Sequence, residues 1–231
     1  MFEISATEWT AILLSLRVAL VATLVATPFA IAIAWLLARH DFWGKSVLDS
    51  VIHLPLVLPP VVTGYLLLLT FGRKGLIGAW LAEYLGIVFA FRWTGAALAC
   101  GVMSFPLLVR PIRLSIEAVD RRLEQAASTL GAAPWRVFLG VTLPLALPGI
   151  VVGMVFGFAK AIGEFGATIT FVSNIPGETQ TISAAIYTLT QTPDGDAGAL
   201  RLVVVSIAIA MTALVLSEVM ARRATRRLHG Y

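Results

Sequence analysis

The chain has 231 residues, of which 58% are hydrophobic and 13% are charged, and its formal net charge at neutral pH is +4. Soluble domains carry about 25% charged residues, so this composition excludes an ordinary water-soluble fold. Several apolar stretches approach or exceed the roughly 20 residues that a helix needs to cross a hydrocarbon core. Because they lack the alternating pattern of barrel strands, they are predicted to be helices.

The predicted elements are five transmembrane helices in one domain that covers residues 1–231. The apolar runs place the spans at about 10–38, 47–71, 93–115, 141–165 and 200–221. The lead before the first run carries Glu3, Glu8 and Trp9 and lacks the basic front and small-residue cleavage site of a signal peptide, so the first helix is predicted to be retained. The fold class is therefore an all-α membrane protein.

The distribution of Lys and Arg predicts the orientation of the chain in the membrane. Eleven of the 17 basic residues follow the first, third or fifth predicted span, whereas three lie between the second and the third. Short basic loops stay on the cytoplasmic side, so we expect the N-terminus outside and the C-terminus in the cytoplasm. The basic residues are split among three loops at membrane level, which disfavours nucleic acid as a partner.

The loop after the first span contains Gly44, Lys45 and Ser46, which look like the end of a phosphate-binding loop. A P-loop also requires a glycine five residues before its second glycine, where this chain has Arg39. We therefore interpret the segment as a solvated loop. No cluster of metal ligands accompanies His53 and no nucleophile and base stand together, so the sequence predicts no enzyme, metal or cofactor site.

Three prolines, Pro55, Pro59 and Pro60, interrupt the second predicted span. Proline removes a backbone donor and clashes with the preceding turn, so the helix must break or kink and leave carbonyl groups that need protein or water as partners. Two interpretations stay open. The break either forms the wall of a translocation pathway or is a kink that packing requires.

The connection between the third and fourth spans is long, covering about 110–140, and exceeds what a helix connection needs. Good helix formers run from Leu123 to Leu130, and Gly131 follows where a left-handed residue would end the helix. Pro134 begins a second short amphipathic stretch at a plausible first helical position. The segment at about 116–140 is therefore predicted to be a cytoplasmic helical loop with a task of its own.

This loop resembles the "EAA" signature of ABC importer permeases, Glu-Ala-Ala-x3-Gly-x9-Ile-x-Leu-Pro. The matching residues are Gln125, Ala126, Ala127, Gly131, Val141, Leu143 and Pro144. The chain departs from the signature where Gln125 replaces Glu, with Glu124 one place earlier, and where Val141 replaces Ile. The resemblance implies a type I permease fold in which this loop, including Glu124, is a coupling helix that enters a groove on a separate ATPase subunit. The alternative is a surface helix capped by glycine.

Nearly the whole chain resembles one branch of that family, the bacterial molybdate permeases, most clearly at 53–62, 163–171 and 175–179. Sulfate and thiosulfate permeases are similar in the second of these blocks. The resemblance implies a homodimer in the lipid of the bacterial cytoplasmic membrane, with two copies of the ATPase and a periplasmic or lipid-anchored molybdate-binding protein. Tungstate, sulfate or thiosulfate transport stay open as alternatives. A stand-alone carrier is disfavoured because the sequence shows no internal repeat.

Two further patterns lie on the fourth span. Lys160 and Glu164 are four residues apart and share a helix face, and charges at membrane depth point into protein or a water-filled path. They are predicted to form an ion pair or, alternatively, to contact the substrate. Gly149, Gly153 and Gly157 form a seam of small residues that permits close helix contact. Its partner helix lies either in the same chain or across a dimer.

Overall fold

A computed structural model describes residues 4–229, with side chains described for residues 4–216 and for Val219. Helices are the only regular secondary structure in this part of the chain, which confirms the predicted all-α class. The helices are α1 (Ala6–Arg39), α2 (Lys45–Val57), α3 (Pro60–Phe71), α4 (Leu76–Tyr84), α5 (Trp93–Glu117), α6 (Arg121–Thr129), α7 (Pro134–Val137), α8 (Leu143–Ile162), α9 (Gly166–Val172), α10 (Ile182–Thr190) and α11 (Asp196–His229), with a π-helical turn (Phe138–Thr142) before α8.

Four helical segments in the described residues are long and apolar enough to cross a membrane on their own: α1, α5, the run from α7 through α8, and α11. The second predicted span is not one straight helix. It consists of α2 and α3, which are bent by 115° at their junction and supply a fifth crossing if the pair counts as one span. The break falls at Pro59, with Pro60 as the first residue of α3, whereas Pro55 lies inside α2. The predicted interruption is thus confirmed, and two of the three prolines form it.

The core is built where α1, α5 and α8 pack together. Small residues let these helices approach closely, and Ala19, Ala30, Ala96, Ala99 and Ala146 are fully buried there. The glycine seam of α8 faces α5 of the same chain. A Cβ atom at Gly153 would lie 2.9 Å from the Leu108 carbonyl oxygen, and one at Gly157 would lie 2.9 Å from Leu108 Cγ. The open question about the seam is therefore answered, because its partner lies within the chain.

Three helices occupy segments that the sequence analysis left as loops. α4 lies between the second and third predicted spans, and α9 and α10 lie between the fourth and fifth. α10 is tied to α1 because the backbone N–H of Ile182 donates a 2.7 Å hydrogen bond to Ser15 Oγ. Ile182 and Ala185 are buried in a cluster with Ala11, Ile12 and Leu202. Packing against α1 and α11, which the local sequence does not reveal, thus orders α10.

The end of the helix bundle at which α1 begins is closed by a half-buried ion pair between α1 and α11. Arg201 Nη2 lies 2.7 Å from Glu8 Oε1, and Arg201 Nε donates to Glu8 Oε2 at 3.3 Å. Glu8 also caps α1 together with Ser5, whose Oγ accepts from the Glu8 backbone N–H. The starts of α1 and α11 therefore meet at one end, while the end of α1 meets α6 at the other.

Candidate coupling loop and translocation pathway

The predicted coupling segment forms α6, whose two ends are defined by local backbone chemistry. Asp120 caps its start by accepting a 2.9 Å hydrogen bond from the Arg122 backbone N–H. Its end has the two hydrogen bonds of a Schellman motif, from Ala132 N to the Ala127 carbonyl and from Gly131 N to the Ser128 carbonyl. Gly131 has φ +84°, so the left-handed conformation predicted for it is confirmed.

One carboxylate, that of Glu124, attaches α6 to two other elements. Glu124 Oε1 accepts hydrogen bonds from Arg39 Nη2 at 3.0 Å, from Arg39 Nε at 3.2 Å and from Thr142 Oγ1 at 2.6 Å. Arg39 Nη2 also donates to the carbonyl of Val119, just before α6. We call these four residues the Glu124 anchor. It joins the end of α1, the coupling segment and the π-helical turn that leads into α8.

The outer surface of this segment is open to a partner. None of the residues of α6, all of which are described, is buried. Leu130 and Trp135 are 88% and 61% exposed, and Leu123 is also exposed. Ala127, Leu143 and Pro144 are half-buried, whereas Gln125 and Ala126 are exposed. Large apolar side chains grouped on an exposed surface are typical of a protein contact site.

The predicted pathway residues divide between two places. Pro60 packs against the start of α9, because a Cβ atom at Gly166 would lie 2.7 Å from Pro60 Cβ. α3 and α9 also touch backbone to backbone one turn further on, where a Cβ atom at Gly64 would lie 2.5 Å from the Ala167 carbonyl oxygen. Pro59 lies beside this contact at the break, whereas Pro55 lies on α2 and lines a groove against α1 and α5.

Lys160 and Glu164 form the predicted ion pair at the junction of α8 and α9. Lys160 Nζ lies 2.8 Å from Glu164 Oε2, and the Ala167 backbone N–H donates a 3.0 Å hydrogen bond to Glu164 Oε1. The Glu164 side chain is 1% exposed and the Lys160 side chain 30%. Glu164 therefore has a structural task, since it caps α9 and neutralises Lys160 beside the contact between α9 and Pro60.

A second polar network was not anticipated from the sequence. Arg113, near the end of α5, contacts Asp49 on α2 at 3.1 Å and Glu117 at 2.8 Å. His53 lies one turn further along α2, with Nδ1 2.8 Å from the Asp49 carbonyl oxygen. The available signal was the presence of the opposite charges Asp49 and Arg113 in two mainly apolar stretches, because charges inside a membrane protein tend to pair with one another. The network joins α2, which contains Pro55, to the end of α5 that precedes α6.

Comparison with known proteins identifies the class. Residues 26–228 match the family model described as binding-protein-dependent transport system inner membrane component, and the chain belongs to this family. It is thus a multi-pass inner-membrane transport protein. The chain is 20% identical to one in the crystal structure of a bacterial ABC transporter involved in the import of the acidic polysaccharide alginate, with a TM-score of 0.70 over 95% of this chain and 80% of that one. That likeness supports the ABC importer permease fold.

Much closer sequence relatives carry a specific name. The chain is 63% identical over 220 residues to the molybdenum transport system permease protein ModB of Escherichia coli (strain K12), covering 95% of this chain and 96% of that protein. It is 55% identical over 221 residues to the protein of the same name from Haemophilus influenzae, covering 96% of each. The similarity therefore extends over almost the full length of both proteins.

Proposed function

We propose that this chain is the permease subunit of an ATP-driven importer that carries molybdate across the bacterial cytoplasmic membrane. The observation that carries the proposal is the 63% identity, along nearly its whole length, to a molybdenum transport permease. The anchored and outwardly open α6 supports it, because an importer permease must offer a surface through which a separate ATPase acts.

The complete transporter in this proposal contains two copies of the chain, two copies of an ATPase subunit and a periplasmic or lipid-anchored molybdate-binding protein. ATP hydrolysis belongs to the ATPase subunit. The N-terminus is outside and the C-terminus cytoplasmic. Arg39 and Arg136 support this orientation, because they lie at the same end of the bundle as α6 and basic residues favour the cytoplasmic side.

The coupling loop has two kinds of residue in this proposal. Gln125, Ala126, Ala127 and Gly131 form the surface that seats in the ATPase, where the small alanines permit close approach. On the other side, the Glu124 anchor, with Leu143 and Pro144 in the first turn of α8, passes movement of α6 to α1 and α8.

A continuous line of contacts leads from α6 to the proline break. Glu124 bonds to Thr142, α8 follows Thr142 directly, and Glu164 beyond the end of α8 caps α9. α9 in turn contacts Pro60 and Gly64 of α3. Movement of α8 relative to α3 would therefore change the spacing at the break. In this proposal Pro59, Pro60 and Lys160 line the pathway there, and Glu164 acts on it as the buried partner of Lys160.

The ion pair explains how such a pathway can pass a dianion without trapping it. Lys160 is the partly exposed cation of the pair, and Glu164 compensates its charge at 2.8 Å. A compensated cation attracts an oxyanion weakly, and conduction requires that binding be weak enough for release. We therefore place tight selection of molybdate in the separate binding protein.

The proposal is tested by complementation. Cells that lack their own molybdate permease but retain its ATPase and binding protein would receive this chain, and uptake of radiolabelled molybdate would be measured. We expect uptake to be restored and to be suppressed by excess unlabelled molybdate but not by excess sulfate. The assigned substrate would be wrong if, in cells supplied with the matching partners, sulfate uptake were restored without molybdate uptake. Strong molybdate binding by the purified chain alone would contradict the weak binding proposed for the pathway.

A further inference from the structure

An apolar groove between α1, α2 and α5 takes no part in the proposed coupling or in the contact between α3 and α9. Its volume is about 610 Å³. Buried small residues form its floor, namely Ala22 and Ala26 of α1 and Ala97 of α5. Exposed side chains form its rims, with Phe29 on α1 and Val51 on α2. The groove is therefore deep, and its mouth opens toward the outside of the described chain.

A cation lies at one end of this groove. Arg17 precedes the lining residue Val21 by one helical turn of α1 and thus shares its face. Its guanidinium carbon lies 3.7 Å from the ring centroid of Trp93, which also lines the groove. Arg17 is exposed. Among the side chains that the structure describes, no carboxylate pairs with it.

The position of Arg17 along α1 corresponds to a headgroup level of the membrane. Arg39, held in the Glu124 anchor, marks the end of α1 at the polar coupling segment. At about 1.5 Å per residue, Arg17 lies about 33 Å from Arg39 along the helix. A hydrocarbon core is about 30 Å thick, so Arg17 reaches the boundary of the opposite leaflet.

The length of the groove corresponds to one leaflet. From Trp93 to Phe105, the lining stretch of α5 spans about 18 Å at the helical rise. Half of a hydrocarbon core is about 15 Å. The lining stretch is therefore long enough to hold an acyl chain that runs from the headgroup level to the middle of the membrane.

We propose that the groove is a binding site for one phospholipid of the leaflet at the Arg17 end, with the phosphate on Arg17 and an acyl chain between α1, α2 and α5. The planar guanidinium of arginine binds phosphate oxygens in a bidentate manner. Trp93, whose ring contacts the Arg17 guanidinium, lies where tryptophan is enriched, at the membrane boundary. The site does not depend on which substrate the chain transports.

The headgroup contact is tested with the full chain purified in detergent, delipidated and titrated with phosphatidylglycerol, with bound lipid counted by native mass spectrometry. We expect one tightly held lipid per chain and at least about tenfold weaker retention in Arg17→Gln, because a hydrogen-bonded charge pair is lost. Arg17→Lys retains the charge and should fall between the two. The matched control is Arg73→Gln, which removes an exposed cation outside the groove and should leave retention unchanged.

The acyl-chain position is tested separately by Gly101→Leu and by a phospholipid with a photoreactive acyl chain. Gly101 lines the groove, and an added Cβ would meet no atom closer than 3.8 Å, so leucine fits locally and fills the groove. We expect Gly101→Leu to lose the bound lipid although Arg17 is intact. In the unaltered chain, the photoreactive phospholipid should form adducts with residues that line the groove. Equal retention in Arg17→Gln and Arg73→Gln, or efficient disulfide formation between two copies carrying Val25→Cys, would overturn the proposal.

Discussion

Arg39 at the end of α1 holds Glu124 in α6 through two hydrogen bonds to a single carboxylate oxygen, although 85 residues separate them in sequence. The Arg39 side chain is 9% exposed and that of Glu124 is 19% exposed. Thr142 donates to the same oxygen from the turn before α8. The coupling segment is therefore attached at one atom to α1 and to the turn that leads into α8, and removing that atom should separate ATPase binding from transport.

Glu124→Ala is expected to abolish most molybdate uptake while the chain still inserts into the membrane. Each lost hydrogen bond to a charged group costs about 1.5–3 kcal/mol, and Arg39 is left without its partner. Glu124→Gln keeps an acceptor for Thr142 and should retain an intermediate uptake. Ser128→Ala, which removes a local hydrogen bond on the same exposed helix, is the control. Full uptake in Glu124→Ala would show that the anchor transmits nothing.

Gly131→Asp is expected to lower molybdate uptake and co-purification of the ATPase together. A side chain at φ +84° strains the backbone by about 1–2 kcal/mol, and a carboxylate at the C-terminal end of α6 opposes its dipole. No atom lies within 4 Å of an added Cβ, so the change should not reduce the amount of protein in the membrane.

The matched control for this position is Gly140→Asp. An added Cβ there also meets nothing within 4 Å, but Gly140 has no left-handed backbone. Uptake and ATPase recovery should stay close to those of the unaltered chain. An equal loss of uptake and ATPase recovery in the two variants would show that the left-handed position of Gly131 has no special role in coupling. Loss of the protein from the membrane in Gly131→Asp would show that Gly131 is needed for folding.

Gly149→Ala is expected to reduce accumulation of the protein and to lower its melting temperature in detergent. The added Cβ would collide with the Ser115 side chain and would lie 2.6 Å from the Pro111 carbonyl oxygen. Overpacking of this kind costs about 1–3 kcal/mol. Gly163→Ala, where the nearest atom is 3.9 Å away, should be tolerated. Similar melting temperatures for the two variants would argue against tight packing of α8 on α5.

Glu8→Gln and Arg201→Gln are expected to lower the melting temperature, and the double variant should lose less than the sum of the two. Each single change leaves the other member of a close ion pair without its partner, and we expect a fall of about 3 °C or more. Asp41→Asn, which removes the exposed Lys45–Asp41 pair, should change nothing measurable. Strict additivity of Glu8→Gln and Arg201→Gln would mean that the two side chains do not interact.

Cysteine labelling should place α6 and the start of α11 on opposite sides of the membrane. A membrane-impermeant thiol reagent added to intact cells should label Asp194→Cys, an exposed position before α11, and should reach Leu130→Cys only after the membrane is opened. The native Cys100 is buried and gives little background. A reporter fused after Tyr231, which lies outside the described residues, should be cytoplasmic. Labelling of both cysteines from the outside would contradict the five-crossing topology.

The sequence by itself determined the features that depend on local chemistry. The length of each apolar run predicts helices that cross a membrane, because backbone groups in lipid must bond within their own segment. Pro59 and Pro60 predict the break in the second span, and Gly131 predicts the end of α6, because proline lacks a donor and glycine alone adopts φ > 0° cheaply. Each of these features is confined to one or two helical turns.

Only the tertiary structure decided which distant residues meet. The partner of Glu124 is Arg39 and that of Glu8 is Arg201, and neither pair has a sequence spacing that identifies it. The glycine seam could have faced any helix until its contact with Leu108 of α5 placed it within the chain. Such contacts depend on how whole helix faces pack in three dimensions, where many pairings satisfy the same local pattern and the packing of small residues selects one.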